Sequence, residues 1–382
     1  MPAERLALLL PTLGGGGAER IMVTLANELA RRGFAVDLVV FTAEGPFRSA
    51  VRDPVRLVDL GTKRARASLL PLVRYLRANR PKGLIASQGH ANTLAVAARM
   101  LAGVPTTIVL REENTFSVST ADASGVAGRL GPLLIRWAYH RADRVIAVSN
   151  GAARDLNASV GLPDDAVEVI ANPVAAEEIA RQAAEPLDHP WFAPGEPPVL
   201  LGVGRLRPAK DFENLLRAFA RVRERIPARL LILGEGAERA ALERVARELG
   251  VSDHVQMPGF VGNPFQYMRR AGVFVLSSRW EGLPGALIEA MACGCPVVST
   301  DCPSGPMEIL EGGRYGPLVP MGDDARLAEA ILRMLDDPTP TETLTASVRR
   351  YSVEEITDRY VELLLGAGAP PPRAAPAGEP VA

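Results

Sequence analysis

The chain has 382 residues, 47 % apolar and 23 % charged, a globular balance that is too long for one ordinary core and suggests two domains. Its net charge of −1 is unevenly shared: residues 1–160 hold 21 Lys and Arg against 12 Asp and Glu, and residues 161–382 hold 22 against 32. This argues against general nucleic-acid binding and for a first half able to meet an anionic surface. Cys293, Cys295 and Cys302 are clustered and odd in number, which argues against a secreted disulfide framework. Cys-x-Cys spacing could suggest a metal, yet no His or further Cys stands next to it, and small buried thiols are the preferred reading. No apolar run approaches the roughly 18 residues needed to cross a bilayer, and the N-terminus leads into a strand rather than a signal peptide. A cytoplasmic protein, free or peripheral on the inner face of the membrane, is expected.

Residues 6–10 form an apolar run of strand length, as in a central parallel strand covered on both faces. Pro11-Thr12-Leu13 and Gly14-Gly15-Gly16-Gly17 follow it, then an amphipathic helix over 18–32 stopped by Gly33, then a strand over 36–41. The four glycines clear every side chain between a strand and a helix N-terminus, so backbone N–H groups can approach a phosphate or sugar. The plainer reading is a flexible linker, a poor fit between a buried strand and a helix. Strands over 55–60, 83–87, 106–110, 144–148 and 166–170 come next, alternating with helices near 68–79, 92–101 and 130–142 and one capped by Ser149. Residues 111–128 read as a looser segment. Such alternation means right-handed crossovers and a parallel sheet. Between Lys63 and Lys82 stand seven Lys and Arg and no acid, interleaved with Leu69, Leu70, Leu72, Val73, Tyr75 and Leu76. That stretch is either a contact for an anionic membrane or a solvated basic face on a core-packed helix.

Residues 1–175 are thus expected to form a first domain, and the Pro-rich 176–198 a linker. A second α/β domain is expected over 199–345, with strands over 199–203, 229–233, 254–257, 273–276, 296–300 and 317–319. A C-terminal helix over 346–365 and a disordered Pro- and Ala-rich tail over 366–382 complete the chain. Two doubly wound domains have their natural ligand site in the cleft between them.

Chemistry concentrates in the second domain. Gly202-Val203-Gly204-Arg205 ends its first strand, and Arg205 and Lys210 stand before a helix expected to be capped by Asp211. A planar fork and a compact charge together suit a diphosphate. Leu233-Gly234-Glu235-Gly236 and Pro258-Gly259-Phe260-Val261 end two further strands, and Phe260 could wall in a base or be a core residue at the domain edge. The apolar strand over 273–276 runs into Arg279-Trp280-Glu281-Gly282-Leu283-Pro284, and a helix carrying Glu289 leaves it. Acids there can accept hydrogen bonds from hydroxyls, and a sugar nucleotide carries both hydroxyls and phosphate. Ser304-Gly305-Pro306-Met307-Glu308 is another strand-to-helix turn. Both glycine loops lack the third glycine of a dinucleotide fingerprint, with Glu19 and Arg207 in its place, which disfavours a nicotinamide dehydrogenase.

These motifs, with Cys293-Gly294-Cys295-Pro296-Val297-Val298, Asn172-Pro173 and Gly14 to Arg20, occur in one order over nearly the whole chain. They resemble a family 4 retaining glycosyltransferase of glycosyltransferase group 1, with the GT-B fold of two Rossmann-like domains. The resemblance implies transfer of a hexosyl unit, with retention, from a nucleoside diphosphate sugar to a glycan or (poly)prenyl-linked glycolipid in cell-surface polysaccharide or glycoconjugate assembly. It implies that Arg205 and Lys210, behind Gly204, hold the donor diphosphate, and that Glu281 faces the donor sugar. Glu289 would take the ribose hydroxyls, Gly282, Leu283 and Pro284 would lie near the phosphates, and Phe260 and Val261 would border the nucleotide. Gly14, Gly15, Gly16 and Gly17 would approach donor or acceptor from the first domain. No cofactor and no metal is expected, since cations and helix dipoles replace the metal. Many relatives have a His after the fifth strand; here that loop reads Arg111-Glu112-Glu113-Asn114, so no acceptor-side residue is assigned. The rival readings are another GT-B sugar-nucleotide enzyme, such as an epimerase, and a non-catalytic sugar-nucleotide binder.

Overall fold

The computed structural model describes residues 4–14, 16–113, 115–117, 126–163 and 165–366, which fall into two compact units. The expected tail over 367–382 lies outside the described residues. The first unit contains β1 (Arg5–Leu10), α1 (Gly17–Arg31), β2 (Ala35–Val40), β3 (Arg56–Asp59), α2 (Leu69–Asn79), β4 (Gly83–Ser87), α3 (Gly89–Ala102) and β5 (Thr107–Glu112). It continues with α4 (Val126–Tyr139), β6 (Arg144–Ala147), α5 (Asn150–Val160) and β7 (Val167–Val169). These strands form a seven-stranded sheet in the order β3-β2-β1-β4-β5-β6-β7, and every neighbouring pair is parallel. The seven strands are those expected from the sequence; the central ones are buried along nearly their whole length and so read as apolar runs, while the edge strands β3 and β7 are part-exposed and carry polar residues.

Buried charges inside this unit are paired. Asp37 is fully buried on β2 and accepts from Arg5 Nη1 at 2.8 Å, Arg56 Nε at 2.8 Å and Tyr75 Oη at 2.6 Å, joining β1, β2, β3 and α2. Ser149 caps α5 as expected, its hydroxyl accepting from the Ala152 N–H.

The second unit contains α6 (Ala176–Ala183), β8 (Val199–Val203), α7 (Phe212–Arg223), β9 (Arg229–Leu233), α8 (Arg239–Glu248), β10 (Val255–Gly259), α9 (Phe265–Met268) and β11 (Val273–Leu276). After them come α10 (Gly285–Ala292), β12 (Val297–Thr300), α11 (Pro306–Ile309), β13 (Leu318–Val319), α12 (Asp324–Asp336) and α13 (Thr341–Ser347). Its six parallel strands run β10-β9-β8-β11-β12-β13. The order reverses between β8 and β11, as it does between β1 and β4 in the first sheet, which makes each position a topological switch point.

The units divide differently from the expected domains. The first takes residues up to Pro173 and returns at Val353; the second is Val174–Ser352. The Pro-rich stretch 176–198 is docked on the second unit and is not a free linker. Trp191 is buried under the Arg229 guanidinium, and His189 and Phe192 meet Tyr267 edge to face. Asn263 and Arg270 donate to the carbonyls of Gln182, Ala183 and Glu185. The prolines signalled a connection, but the aromatic burial and these donors decide the outcome.

The C-terminal helix α14 (Val353–Leu365) belongs to the first unit, where Ile356, Tyr360, Val361 and Leu364 join the core of Leu6, Leu8 and Leu25. Gly83 lets it pack closely, since a Cβ there would meet the Leu364 side chain and push it aside. Arg111, read as the start of a loose segment, instead lies on β5 with no exposed surface. Its Nε donates to Tyr360 Oη at 2.9 Å, and its other nitrogens donate to Glu113 and Asn172. A buried guanidinium is tolerated only when its fork of donors is satisfied in this way. Tyr360→Phe should therefore destabilise the first unit by about 1–3 kcal/mol, the cost of a buried charged donor losing its acceptor. Urea unfolding measures this, and an unchanged midpoint would contradict it.

Candidate active site

The loops that follow β8 and β11 leave adjacent strands, paired through Val273 and Leu200, on the carboxyl-terminal edge of the second sheet. This brings Lys210 and Glu281 together across 71 residues of sequence. Lys210 Nζ stands 2.6 Å from Glu281 Oε1, and the Ser278 hydroxyl donates to the same oxygen at 2.6 Å. The pair is partly shielded, with side-chain exposures of 21 % for Lys210 and 13 % for Glu281. Backbone and side-chain bonds zip the two loops together. Ser277 Oγ donates to the Lys210 carbonyl at 2.7 Å, and the Arg279 N–H donates to the Ala209 carbonyl at 2.8 Å. Lys210 lies over Gly204, where a Cβ would come within 3.0 Å of Lys210 Cε. Gly234, at φ +145°, packs its backbone on the Gly204 carbonyl, so only glycine fits. Arg205 is exposed on the same loop and makes no ion pair among the described residues.

Gly282, Leu283 and Pro284 are buried, and α10 begins immediately after them. The turn at 303–306 packs on this segment: Gly305, at φ +93°, sits where any Cβ would overlap Pro284. Leu287, Ile288, Ala290 and Met291 face the core, which leaves Glu289 half-buried on the other side of α10. Glu281 on a loop and Glu289 on a helix therefore have different surroundings, and Ser278 and Lys210 both engage Glu281. Cys302 is buried nearby, its thiol pushed up to about 12 by desolvation and then by the charge of Glu281, so it stays protonated at neutral pH. Cys293 and Cys295 are also free and buried. Among the described residues no three His, Cys, Asp or Glu side chains are grouped as metal ligands.

One expectation is corrected, and one of two alternatives falls. Asp211 does not cap α7: it sits in the left-handed region at φ 45° with no capping bond, and its buried carboxylate takes Arg279 Nε at 2.8 Å and Nη2 at 3.1 Å. Arg279, read only as part of the motif, thus braces the site. Phe260 is no core residue, being 70 % exposed at the end of β10, beside half-buried Val261. In the first unit Gly16 is the N-cap of α1 and Gly17 its first residue, while the Gly14 N–H donates to Thr12 Oγ1 at 3.2 Å. Gly15 and Asn114 lie outside the described residues. Sequence reasoning missed Ser277 and Ser278. Two hydroxyls at the end of an all-apolar strand, just before the Arg-Trp-Glu run, were the available signal.

Two family models match the chain, one for each half. The model described as Glycosyltransferase Family 4 matches residues 15–178, and Glycosyl transferases group 1 matches residues 185–351. An N-acetylgalactosamine-N,N'-diacetylbacillosaminyl-diphospho-undecaprenol 4-alpha-N-acetylgalactosaminyltransferase of Campylobacter jejuni is 28 % identical over 347 residues, 87 % of this chain and 91 % of its own. The lipopolysaccharide core biosynthesis glycosyltransferase LpsE of Rhizobium meliloti is 28 % identical over 91 % of this chain and 96 % of its own. Among solved structures, Anabaena HepE in complex with UDP-glucose superposes with a TM-score of 0.81 at 19 % identity, covering 94 % of this chain and 99 % of that one. The lipopolysaccharide outer core galactosyltransferase WaaB superposes at 0.72 with 20 % identity and the same coverage. With both halves matched in order and both sheets wound alike, the chain belongs to the group 1 glycosyltransferases, of the family 4 type, and has the GT-B fold.

Proposed function

We propose that this glycosyltransferase moves a hexosyl unit, with retention, from a UDP-sugar to a glycan or prenyl-linked glycolipid in the assembly of a cell-surface polysaccharide or glycoconjugate. The observation that carries this reading is Lys210 and Glu281 held together at the switch point, with Arg205 exposed on the same loop. Arg205 and Lys210 hold the diphosphate and stabilise the charge that grows on it as the bond to the sugar breaks. Glu281 accepts from donor sugar hydroxyls, Glu289 from the ribose, and backbone at Gly282, Leu283 and Pro284 borders the phosphates. The acceptor hydroxyl attacks the anomeric carbon on the face that the leaving phosphate departs from. Its proton passes to a phosphate oxygen, so the products are the glycoside and the nucleoside diphosphate. The names of the Campylobacter and Rhizobium relatives support the acceptor class, and the UDP-glucose complex of HepE supports the donor.

The basic helix supports a place on an anionic membrane surface. Leu70 is 63 % exposed on α2, and Lys63, Arg64, Arg66, Arg74 and Arg77 are exposed around it. Surface cations are each worth about 1 kcal/mol against anionic lipid. No helix of the described residues is long and apolar enough to cross a membrane.

Lys210→Ala or Glu281→Ala should lower turnover by about a hundredfold or more in a chain that still folds, with a melting temperature lowered by the part-buried charge left unpaired. Wild-type turnover in either would sink the site assignment. In a panel of UDP-, GDP- and ADP-sugars, a UDP-sugar should raise the melting temperature, by about 2.7 kcal/mol of added stability at a hundred times Kd. Proton NMR of the resulting product should show the donor's anomeric configuration; inversion would overturn the retaining mechanism. The chain should float with vesicles containing phosphatidylglycerol and not with purely zwitterionic ones, and Arg74→Glu with Arg77→Glu should abolish flotation. Equal flotation on both would refute the membrane contact.

A further inference from the structure

Two donors share one oxygen of Glu281, and they differ in how firmly they are held. Lys210 reaches Oε1 at 2.6 Å on a four-carbon stem, and under the donor reading above the same ammonium is drawn toward a diphosphate. Ser278 reaches Oε1 at 2.6 Å from a backbone that cannot move independently of the sheet. It has no exposed surface, and its own carbonyl accepts from Thr300 Oγ1 at 2.6 Å, a hydroxyl buried on the neighbouring strand β12. Ser277 beside it holds the Lys210 carbonyl, so the end of β11 governs the base of the lysine and the tip of the glutamate separately. A hydroxyl donating to a carboxylate is a charge-assisted bond, roughly twice as strong as a neutral one.

We infer that Ser278 is a positioning residue: its hydroxyl keeps the Glu281 carboxylate aimed at the donor sugar while Lys210 answers the diphosphate. This inference rests on the donor reading of the site. If it holds, Ser278 affects recognition of the sugar and leaves recognition of the nucleotide alone. A hydroxyl that merely satisfied its own hydrogen-bonding needs inside the fold would affect stability and nothing else.

The test measures UDP and UDP-glucose affinity by calorimetry, together with turnover, for the full chain and for Ser278→Ala, Glu281→Ala and the double variant. Ser278→Ala removes one oxygen and should fold, which its melting curve checks. UDP affinity should stay within about threefold, whereas the preference for UDP-glucose relative to UDP should fall about tenfold, or about 1.4 kcal/mol. Turnover should fall at least as much as that preference. In the Glu281→Ala background, Ser278→Ala should add nothing, since its effect passes through the carboxylate. Ser278→Thr, which keeps the hydroxyl, should recover most of the preference. A wild-type preference and turnover in Ser278→Ala, alongside losses in Glu281→Ala, would overturn the inference and leave the donor reading intact. A further drop from Ser278→Ala in the Glu281→Ala background would also overturn it, by showing that the hydroxyl acts by a route other than the carboxylate. A wild-type preference in Glu281→Ala, or failure of the unsubstituted chain to bind either probe, would overturn the donor reading itself.

Discussion

β8 and β11 lie side by side where the winding of the second sheet reverses, and the charged groups engaged there hang from the loops that follow them. Strands in a parallel sheet all point one way, so their exits share one edge. At a reversal point the two following helices depart to opposite faces, and the loops between are left open to a ligand. Lys210 and Glu281 meet because of that topology. The glycines at 204, 234 and 305 serve the same geometry. Gly234 and Gly305 have positive φ and lie where a side chain would overlap a neighbouring segment, so they let the loops close on each other.

Charge is balanced locally within this edge. Lys210 is matched by Glu281, and the buried carboxylate of Asp211 by the half-exposed guanidinium of Arg279. Desolvating a carboxylate is costly, and a cation together with a hydroxyl or a second nitrogen offsets that cost. Arg205 stays outside both pairs, in keeping with a cation available to a diphosphate. Two acids and two cations in a row could be taken for a single network. The geometry separates them into one pair that faces the proposed chemistry and one that braces the loop before α7.

The first unit uses the same economy on a buried scale. Arg111 carries its charge on a central strand, and Tyr360 from the returning C-terminal helix supplies one of its acceptors. Glu112 in turn accepts from Tyr139 at 2.7 Å, and Asn92 donates to the Arg111 carbonyl at 3.1 Å. The end of β5 is thus built around an arginine and two glutamates tied to three helices. The helix over 353–365 is an integral part of this unit although nearly half the chain, Val174–Ser352, intervenes.

Periodicity and motif order made most of the architecture legible. The central strands of both sheets show as apolar runs because burial on both faces tolerates little else, whereas edge strands such as β3 and β10 are half-exposed and carry polar residues. Lys210 and Glu281 were legible as residue types suited to a sugar nucleotide. The sequence could not show that they touch, since strand order alone makes residues 210 and 281 neighbours. Ser277, Ser278 and the Asp211–Arg279 pair escaped notice because a serine at a strand end or an aspartate before a helix has an ordinary local explanation. The nearness of a second loop overrides that explanation. The docking of the Pro-rich stretch and the return of the C-terminal helix were illegible for a similar reason: prolines report local backbone restriction, whereas the burial of Trp191 and Tyr360 is long-range. What the sequence by itself determined was which segments become strands and helices and which residue types gather at their ends. Which of those residues pair, and where one unit stops and the other begins, was decided only by the tertiary structure, because contacts between distant segments depend on strand order and leave no local pattern.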